Sequence, residues 1–145
     1  MTEEGFEYEG GEALDFYEWS SDYIERLRKQ GIVEYVTDYN RYREILEKHP
    51  VVVAVFTTPT CSACAIYKPI YYMVAEELKD RAKWIEVDAY YAPEAAYEVG
   101  VMATPTTMFY IRGEAVDGFV GVMDEDGLRE ALEQVLEKAK KEGKL

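Results

Sequence analysis

Apolar and polar positions alternate along the chain in two different periods. Short apolar runs predict β-strands, and beyond Gly31 they occupy residues 32–36, 51–56, 83–88, 106–111 and 115–121. The run Val51 to Phe56 is continuously apolar and rich in β-branched residues, which is typical of a strand buried on both faces. The last two runs are joined through Arg112-Gly113-Glu114, which predicts a hairpin.

Segments with helical spacing lie between these runs. They predict helices over residues 38–48, 62–80, 93–99 and 124–141. Thr37 or Asp38 can cap the first of them, and Pro50 ends it. Pro69 lies inside the second helix, where we expect a kink. The order β-α-β-α-β-α-β-β-α therefore predicts an α/β fold, with a mixed central sheet of about five strands and helices on both faces.

The first 31 residues differ from the rest in pattern, and we predict an acidic N-terminal extension (1–31) before a main domain (32–145). Residues 1–11 are polar and acidic, which favours a mobile tail. Residues 12–30 predict an amphipathic helix with an aromatic stripe, formed by Phe16, Trp19, Tyr23 and Leu27. The stripe either packs on the body of the same chain or contacts a partner, such as a second copy in a homodimer.

Charge and cysteine content exclude several classes of function. The formal net charge is -13, which disfavours nucleic acid and anionic membranes as partners. No run reaches the ~18 apolar residues of a membrane span, and no signal peptide is recognisable. The chain has only 2 cysteines, close together, unlike a secreted disulfide scaffold. We therefore expect a soluble, cytoplasmic protein.

The two cysteines form the segment Cys61-Ser62-Ala63-Cys64, between a buried strand and a helix. Free N–H groups and the helix dipole stabilise a thiolate at a helix N-terminus, and can lower a cysteine pKa from about 8.5 to about 7. Cys61 is therefore a candidate nucleophile. Cys64, three residues later and deeper, can attack a mixed disulfide held on Cys61 and release the partner.

Two other interpretations of the pair are less favoured. A zinc site needs about four ligands, but the chain has no third cysteine, and its single histidine, His49, lies at a helix end. Two cysteines that were merely buried in the core would have no reason to lie between a strand and a helix. We therefore predict no metal and no cofactor other than a redox-active Cys61–Cys64 disulfide.

Several motifs together resemble the thioredoxin family over roughly residues 32–142. Residues 56–64 are similar to the family's strand, loop and active-site segment, and residues 103–106 to its cis-proline segment. Further matches are Pro69, Asp88, Gly113 and Gly121.

The resemblance implies a thioredoxin-like fold and a dithiol–disulfide cycle of electron transport. Cys61 would attack and Cys64 would resolve. Pro105 would be cis and face the cysteines, while Thr60, Thr104 and Pro105 would bind an extended substrate segment by strand addition. Protein disulfides and a recycling reductase would be the partners.

The sequence also departs from the family pattern. Thr60 replaces the usual tryptophan, Ser62-Ala63 replaces Gly-Pro, and Val55 stands where thioredoxins have a buried acid. Glu86 on the neighbouring strand either substitutes for that acid or is an ordinary solvated or ion-paired glutamate. Reduction or exchange of protein disulfides is the predicted function. The alternatives are an intracellular disulfide isomerase or oxidase, and a redox-sensing module that binds through the N-terminal helix.

Overall fold

Strands and helices alternate in the computed structural model in the predicted order. The structure describes the backbone of residues 2–145 and the side chains of residues 15–145. The helices are α1 (Thr2–Lys29), α2 (Tyr39–Lys48), α3 (Ser62–Glu77), α4 (Pro93–Glu98) and α5 (Glu125–Lys141). The strands are β1 (Val33–Val36), β2 (Val51–Thr57), β3 (Lys83–Asp88), β4 (Thr106–Ile111) and β5 (Glu114–Val120).

One mixed sheet organises the described residues, with its strands in the order β1-β3-β2-β4-β5. β1, β3 and β2 run parallel, whereas β4 runs antiparallel to β2 and β5 antiparallel to β4. The pairing places Phe56 opposite Thr106. The carboxyl end of β2, which leads into the cysteine segment, therefore lies beside the start of β4. The predicted α/β fold with an N-terminal helix is confirmed.

The two faces of the sheet bury separate apolar cores. α1, α3 and α5 cover one face, where they pack on Val53 and Val55 of β2. α2 and α4 cover the other face, where they pack on Val52, Ala54 and Phe56. Because successive strand side chains point to opposite faces, a continuous apolar run is needed when both faces are covered. The whole of β2 is accordingly buried.

α1 begins at Thr2, although the sequence predicted a tail over residues 1–11 and a helix from residue 12. Met1 lies outside the described residues. The glycines at positions 5, 10 and 11 suggested a tail, yet a glycine costs only about 1 kcal/mol in a helix and the glutamates around it are good helix formers.

The aromatic stripe of α1 divides into two parts. Leu27 is fully buried in the core beneath α3, and the Tyr23 hydroxyl donates a hydrogen bond to Glu76 Oε1 at 2.7 Å. Phe16 and Trp19 are 41% and 49% exposed. The C-terminal part of the helix therefore packs on the body of the chain, while its earlier aromatic side chains face solvent.

α3 ends at Glu77 rather than at the predicted Asp80. The N–H of Leu78 still bonds the carbonyl of Val74, but the next residues form a turn closed by Arg81 N–H on the carbonyl of Leu78. This turn reverses the chain into β3. The indole N–H of Trp84 donates to the same Leu78 carbonyl at 3.1 Å, so this helix-end acceptor has two donors.

Candidate functional site

Both cysteines lie in the first turn of α3, where they form a disulfide. Cys61 is the N-cap, with extended backbone angles, and its Sγ accepts a hydrogen bond from the Cys64 N–H at 3.1 Å. The two Cα atoms are 5.2 Å apart. Cys61 is half-buried, whereas Cys64 is 1% exposed. A thiolate on Cys61 would therefore meet a free backbone N–H and the positive end of the helix dipole.

The segment before β4 lies directly against this pair. Cys61 Sγ is 3.4 Å from the carbonyl oxygen of Thr104. The Thr104–Pro105 peptide bond is cis, and Pro105 is buried. The Thr106 hydroxyl donates to the carbonyl of Ala103 at 2.6 Å, which closes the loop. The start of β4 reaches the cysteines because β2 and β4 are adjacent and antiparallel.

Thr60 lies on the rim of the same site. It is exposed and belongs to the turn between β2 and Cys61. The N–H of Cys61 bonds the carbonyl of Thr58 at 3.3 Å, which holds this turn in place. The structure therefore brings together Thr60, Thr104 and Pro105, the residues predicted to bind substrate, around the half-buried sulfur.

Below the pair, neutral groups occupy the position where the family has a buried acid. Val55 pairs with Thr107 on β4 and with Glu86 on β3. The hydroxyls of Tyr67 and Thr107 are 2.8 Å apart, and both side chains are fully buried. Burial is the main reason that the pKa of Tyr67 is raised above its ordinary value. This hydroxyl pair therefore stays neutral and does not act as a base for Cys64.

Glu86 is a buried acid in register with Val55, and its carboxylate is surrounded by donors. Its side chain is 0% exposed. Oε1 accepts from Arg28 at 2.7 Å and from the Tyr72 hydroxyl at 2.6 Å. Oε2 accepts from the Thr57 hydroxyl at 2.7 Å and lies 3.2 Å from Lys68 Nζ. Of the interpretations open from the sequence, a buried, ion-paired glutamate is the one observed.

The protonation state of Glu86 follows from these contacts. Burial by itself raises the pKa of the carboxyl, but Lys68 and Arg28, with the hydroxyls of Tyr72 and Thr57, lower it further than burial raises it. The net result is a pKa below the ordinary value of 4.5. Glu86 therefore remains a carboxylate at neutral pH, and it is a poor acceptor for a proton from Cys64.

Sequence reasoning missed the two cations of this cluster. Arg28 belongs to α1, and only the folded structure brings it to β3. Lys68 had a usable signal, because Cys64, Lys68 and Tyr72 follow one another at intervals of four residues in a helix. Such spacing places side chains on one face, successive members about 5–6 Å apart at Cβ.

Three further observations concern parts of the chain other than the cysteine pair. His49 caps the C-terminus of α2, as its position before Pro50 suggested. Within residues 15–145, no cluster of three or more His, Cys, Asp or Glu side chains is arranged to hold a metal ion. No helix in the described part of the chain combines the length and apolar character that a membrane span requires.

Comparisons with known proteins agree with this geometry. The thioredoxin family model matches residues 32–134. Over 101 residues the chain is 30% identical to thioredoxin 1 of Synechococcus elongatus, an alignment that covers 70% of this chain and 94% of that protein. A segment of 92 residues is 30% identical to part of the NADPH-dependent thioredoxin reductase 3 of Arabidopsis thaliana, and covers 17% of that protein.

Solved structures give the same result at the level of the fold. A mutant thioredoxin from Halobacterium salinarum superposes with a TM-score of 0.64 at 27% identity, covering 70% of this chain and 88% of that one. An oxidised thioredoxin from Plasmodium falciparum superposes with the same TM-score of 0.64 at 22% identity, covering 71% of this chain and 97% of that one. The chain therefore belongs to the thioredoxin family of thiol–disulfide oxidoreductases.

Proposed function

We propose that this oxidoreductase reduces or exchanges disulfides of proteins, with Cys61 as the attacking thiolate and Cys64 as the resolving thiol. The unequal burial of the two sulfurs carries the proposal. Cys61 is half-buried at the helix N-terminus, while Cys64 is 1% exposed. Because a substrate sulfur must approach the attacking sulfur, only Cys61 is placed for the first step.

The cycle transfers two electrons from the dithiol to the substrate. The Cys61 thiolate attacks one sulfur of a substrate disulfide, which forms a mixed disulfide and expels the other substrate sulfur as a thiolate. Cys64, after losing its proton to solvent, then attacks Cys61 Sγ. The second substrate thiolate leaves, the Cys61–Cys64 disulfide forms, and the substrate is reduced.

Thr60, Thr104 and Pro105 are proposed to position the substrate. The carbonyl of Thr104 lies 3.4 Å from Cys61 Sγ. An extended polypeptide that pairs with the Thr104 backbone would therefore bring its own sulfur close to Cys61. Thr60 directly precedes Cys61 in the chain, is exposed, and would contact the same segment.

A second dithiol protein must return the oxidised pair to the dithiol. A reductase of the kind that recycles thioredoxins is the proposed electron donor. The match to thioredoxin 1 over 94% of that protein supports this choice of donor. We also propose that residues 32–145 form the redox domain and residues 1–31 its extension, because the family match begins at residue 32. The cytoplasmic location stays a prediction.

Reduction of insulin disulfides is the direct test of the proposal. The wild-type chain should turn over insulin with dithiothreitol as the electron source, and Cys61→Ser should not. Cys64→Ser should instead accumulate a mixed disulfide on Cys61, and a double variant that lacks both cysteines should trap nothing. Equal insulin reduction by wild type and Cys61→Ser would refute the assignment.

The direction of electron flow is decided by the reduction potential of the pair. A value near about -270 mV would favour a reductase, and one near about -180 mV an isomerase or oxidase. Equilibration of the chain with glutathione buffers, followed by alkylation of the free thiols, measures this potential directly.

A second candidate function is partner binding through α1, and the exposed aromatic side chains of this helix favour it. Phe16, Tyr17 and Trp19 are 41%, 57% and 49% exposed. A homodimer, or a module that binds a partner according to the redox state, would use them. Trp19→Ala should then dissociate the dimer in sedimentation equilibrium while leaving insulin reduction intact. A monomeric wild-type chain in both redox states would rule out the dimer.

A further inference from the structure

The extension of this chain reaches into the buried polar cluster of the redox domain. Residues 32–134 match the thioredoxin family model, so Arg28 lies outside the matched domain. Its guanidinium nevertheless donates to Glu86 Oε1 at 2.7 Å and to the Tyr72 hydroxyl at 3.0 Å. The guanidinium carbon also lies 4.1 Å from the ring centre of Tyr35. α1 therefore supplies a group that is built into the domain.

The carboxylate of Glu86 has no acceptor capacity left. A carboxylate offers about four lone-pair sites, and Arg28, Tyr72, Thr57 and Lys68 occupy both oxygens. An unpaired buried charge is costly, so the burial of Glu86 depends on both cations. Glu86 acts here as an anchor for two cations.

Lys68 is the cation of this cluster that lies on the same helix as Cys64. Arg28 and Lys68 are cations and Glu86 is their shared anion. Lys68 is one helical turn beyond Cys64 on α3, with its side chain only 24% exposed. In solvent a lysine in this place would sample many rotamers, whereas the bond to Glu86 holds its ammonium against the domain.

We propose that Arg28 is a positioning residue of the redox site: by completing the pairing of Glu86, it keeps this carboxylate ionised, so that the ammonium of Lys68 stays held on the face of α3 that carries Cys64, where its charge favours the thiolate. The N-terminal helix is then part of the redox machinery. This inference deepens the proposed function and rests on it, since only a thiolate that reacts makes the charge useful.

Loss of Arg28 has a specific electrostatic consequence. The groups that face Glu86 are Arg28 from α1, Lys68, Tyr71 and Tyr72 from α3, Thr57 from β2 and Tyr35 from β1, whose hydroxyl bonds the Asp88 carboxylate. Without Arg28, burial is opposed by one cation, so the pKa of Glu86 rises. Protonation of Glu86 would free Lys68 from this bond and so change the charge that the cysteine pair experiences.

The experiment is the pH profile of alkylation of reduced Cys61 by iodoacetamide, resolved by peptide mass spectrometry. The wild-type chain should show one inflection. Arg28→Met should add a second inflection, which comes from Glu86. The double variant that carries Arg28→Met and Glu86→Gln should not show it. Arg28→Lys should not show it either, because lysine keeps the positive charge. Arg26→Met is the matched control, because Arg26 is exposed on the same helix and stacks on Tyr23 at 5.3 Å, with no bond to Glu86.

Lys68→Met keeps the test decisive if Arg28→Met fails to fold, because the position is partly exposed. Removal of this cation should move the main inflection upward and slow alkylation below it about two-fold, the effect of one charge on the order of 8 Å away in a water-like medium. Profiles of Lys68→Met and folded Arg28→Met that coincide with wild type would overturn the inference. Alkylation needs no disulfide substrate, so failed insulin turnover by wild type would refute the function instead.

Discussion

Leu27 offers the sharpest test of whether α1 is an appendage or a part of the core. The side chain is fully buried among residues of α3, α5 and the sheet. The carbonyl of Leu27 also accepts from the N–H of Ile32, which fixes the turn between α1 and β1. Replacing Leu27 with alanine removes the apolar contact and leaves this backbone bond and the surface charges in place.

The expected loss follows from the number of atoms removed. Leu27→Ala deletes three carbon atoms, each worth about 0.8 kcal/mol of transfer free energy when fully buried. A cavity remains, because the side chains around it close in only partly, and this cavity adds to the loss of stability. The free energy of unfolding should therefore fall by about 3 kcal/mol. In a chain of this size the melting temperature should drop by about 10 °C.

Equilibrium unfolding in urea, followed by circular dichroism on the oxidised protein, measures this loss. Trp19→Ala is the matched control, because it removes a larger apolar side chain of the same helix that is 49% exposed. The control should change the free energy of unfolding by less than about 1 kcal/mol, as surface substitutions usually do. The slope of the transition should stay constant if both variants unfold in one cooperative step.

An equal, small effect of both substitutions would refute the reasoning. It would mean that α1 detaches without disturbing the domain, and the role assigned to Arg28 would lose its structural basis. A two-step transition in wild type, with α1 melting first, would contradict the prediction in the same way.

Two further predictions concern the buried polar groups. Glu86→Gln should lower the free energy of unfolding at pH 7 by about 3 kcal/mol, because it leaves Arg28 and Lys68 without their carboxylate. The folded pKa of Glu86 lies below 4.5, so its contribution to the free energy of unfolding is complete above that pH and is lost as the pH falls through the folded pKa. The urea curves of wild type and Glu86→Gln should therefore converge in acid. A difference in stability that stays constant with pH would contradict this. Tyr67→Phe should cost about 1–3 kcal/mol by leaving the Thr107 hydroxyl unpaired. Adding Thr107→Val should cost less than a second loss of that size, and an additive loss in the same urea assay would argue against the bond.

Much of the fold could be predicted because local physics specifies it. The apolar, β-branched run 51–56 predicted a strand covered on both faces, and Arg112-Gly113-Glu114 predicted a hairpin turn. In the structure Arg112 and Gly113 take the positive φ angles of 53° and 85° that a tight hairpin turn uses. The ends of elements were less certain, since α3 stops at Glu77 through a turn whose partners come from Leu78 and Arg81. The predicted start of α1 was wrong, because the helix-forming glutamates outweigh the glycines among them.

The sequence by itself determined the chemistry of the pair, because the positions of Cys61 and Cys64 between an apolar strand and a helix depend only on neighbours along the chain. It could not determine the state of Glu86. The sequence placed this residue on a strand next to that of Val55, but its cationic partners come from α1 and α3, at Arg28 and Lys68. Whether a buried carboxylate serves as a base or as an anchor depends on how many donors meet it, and only the packing of α1 against α3 and the sheet brings those donors together.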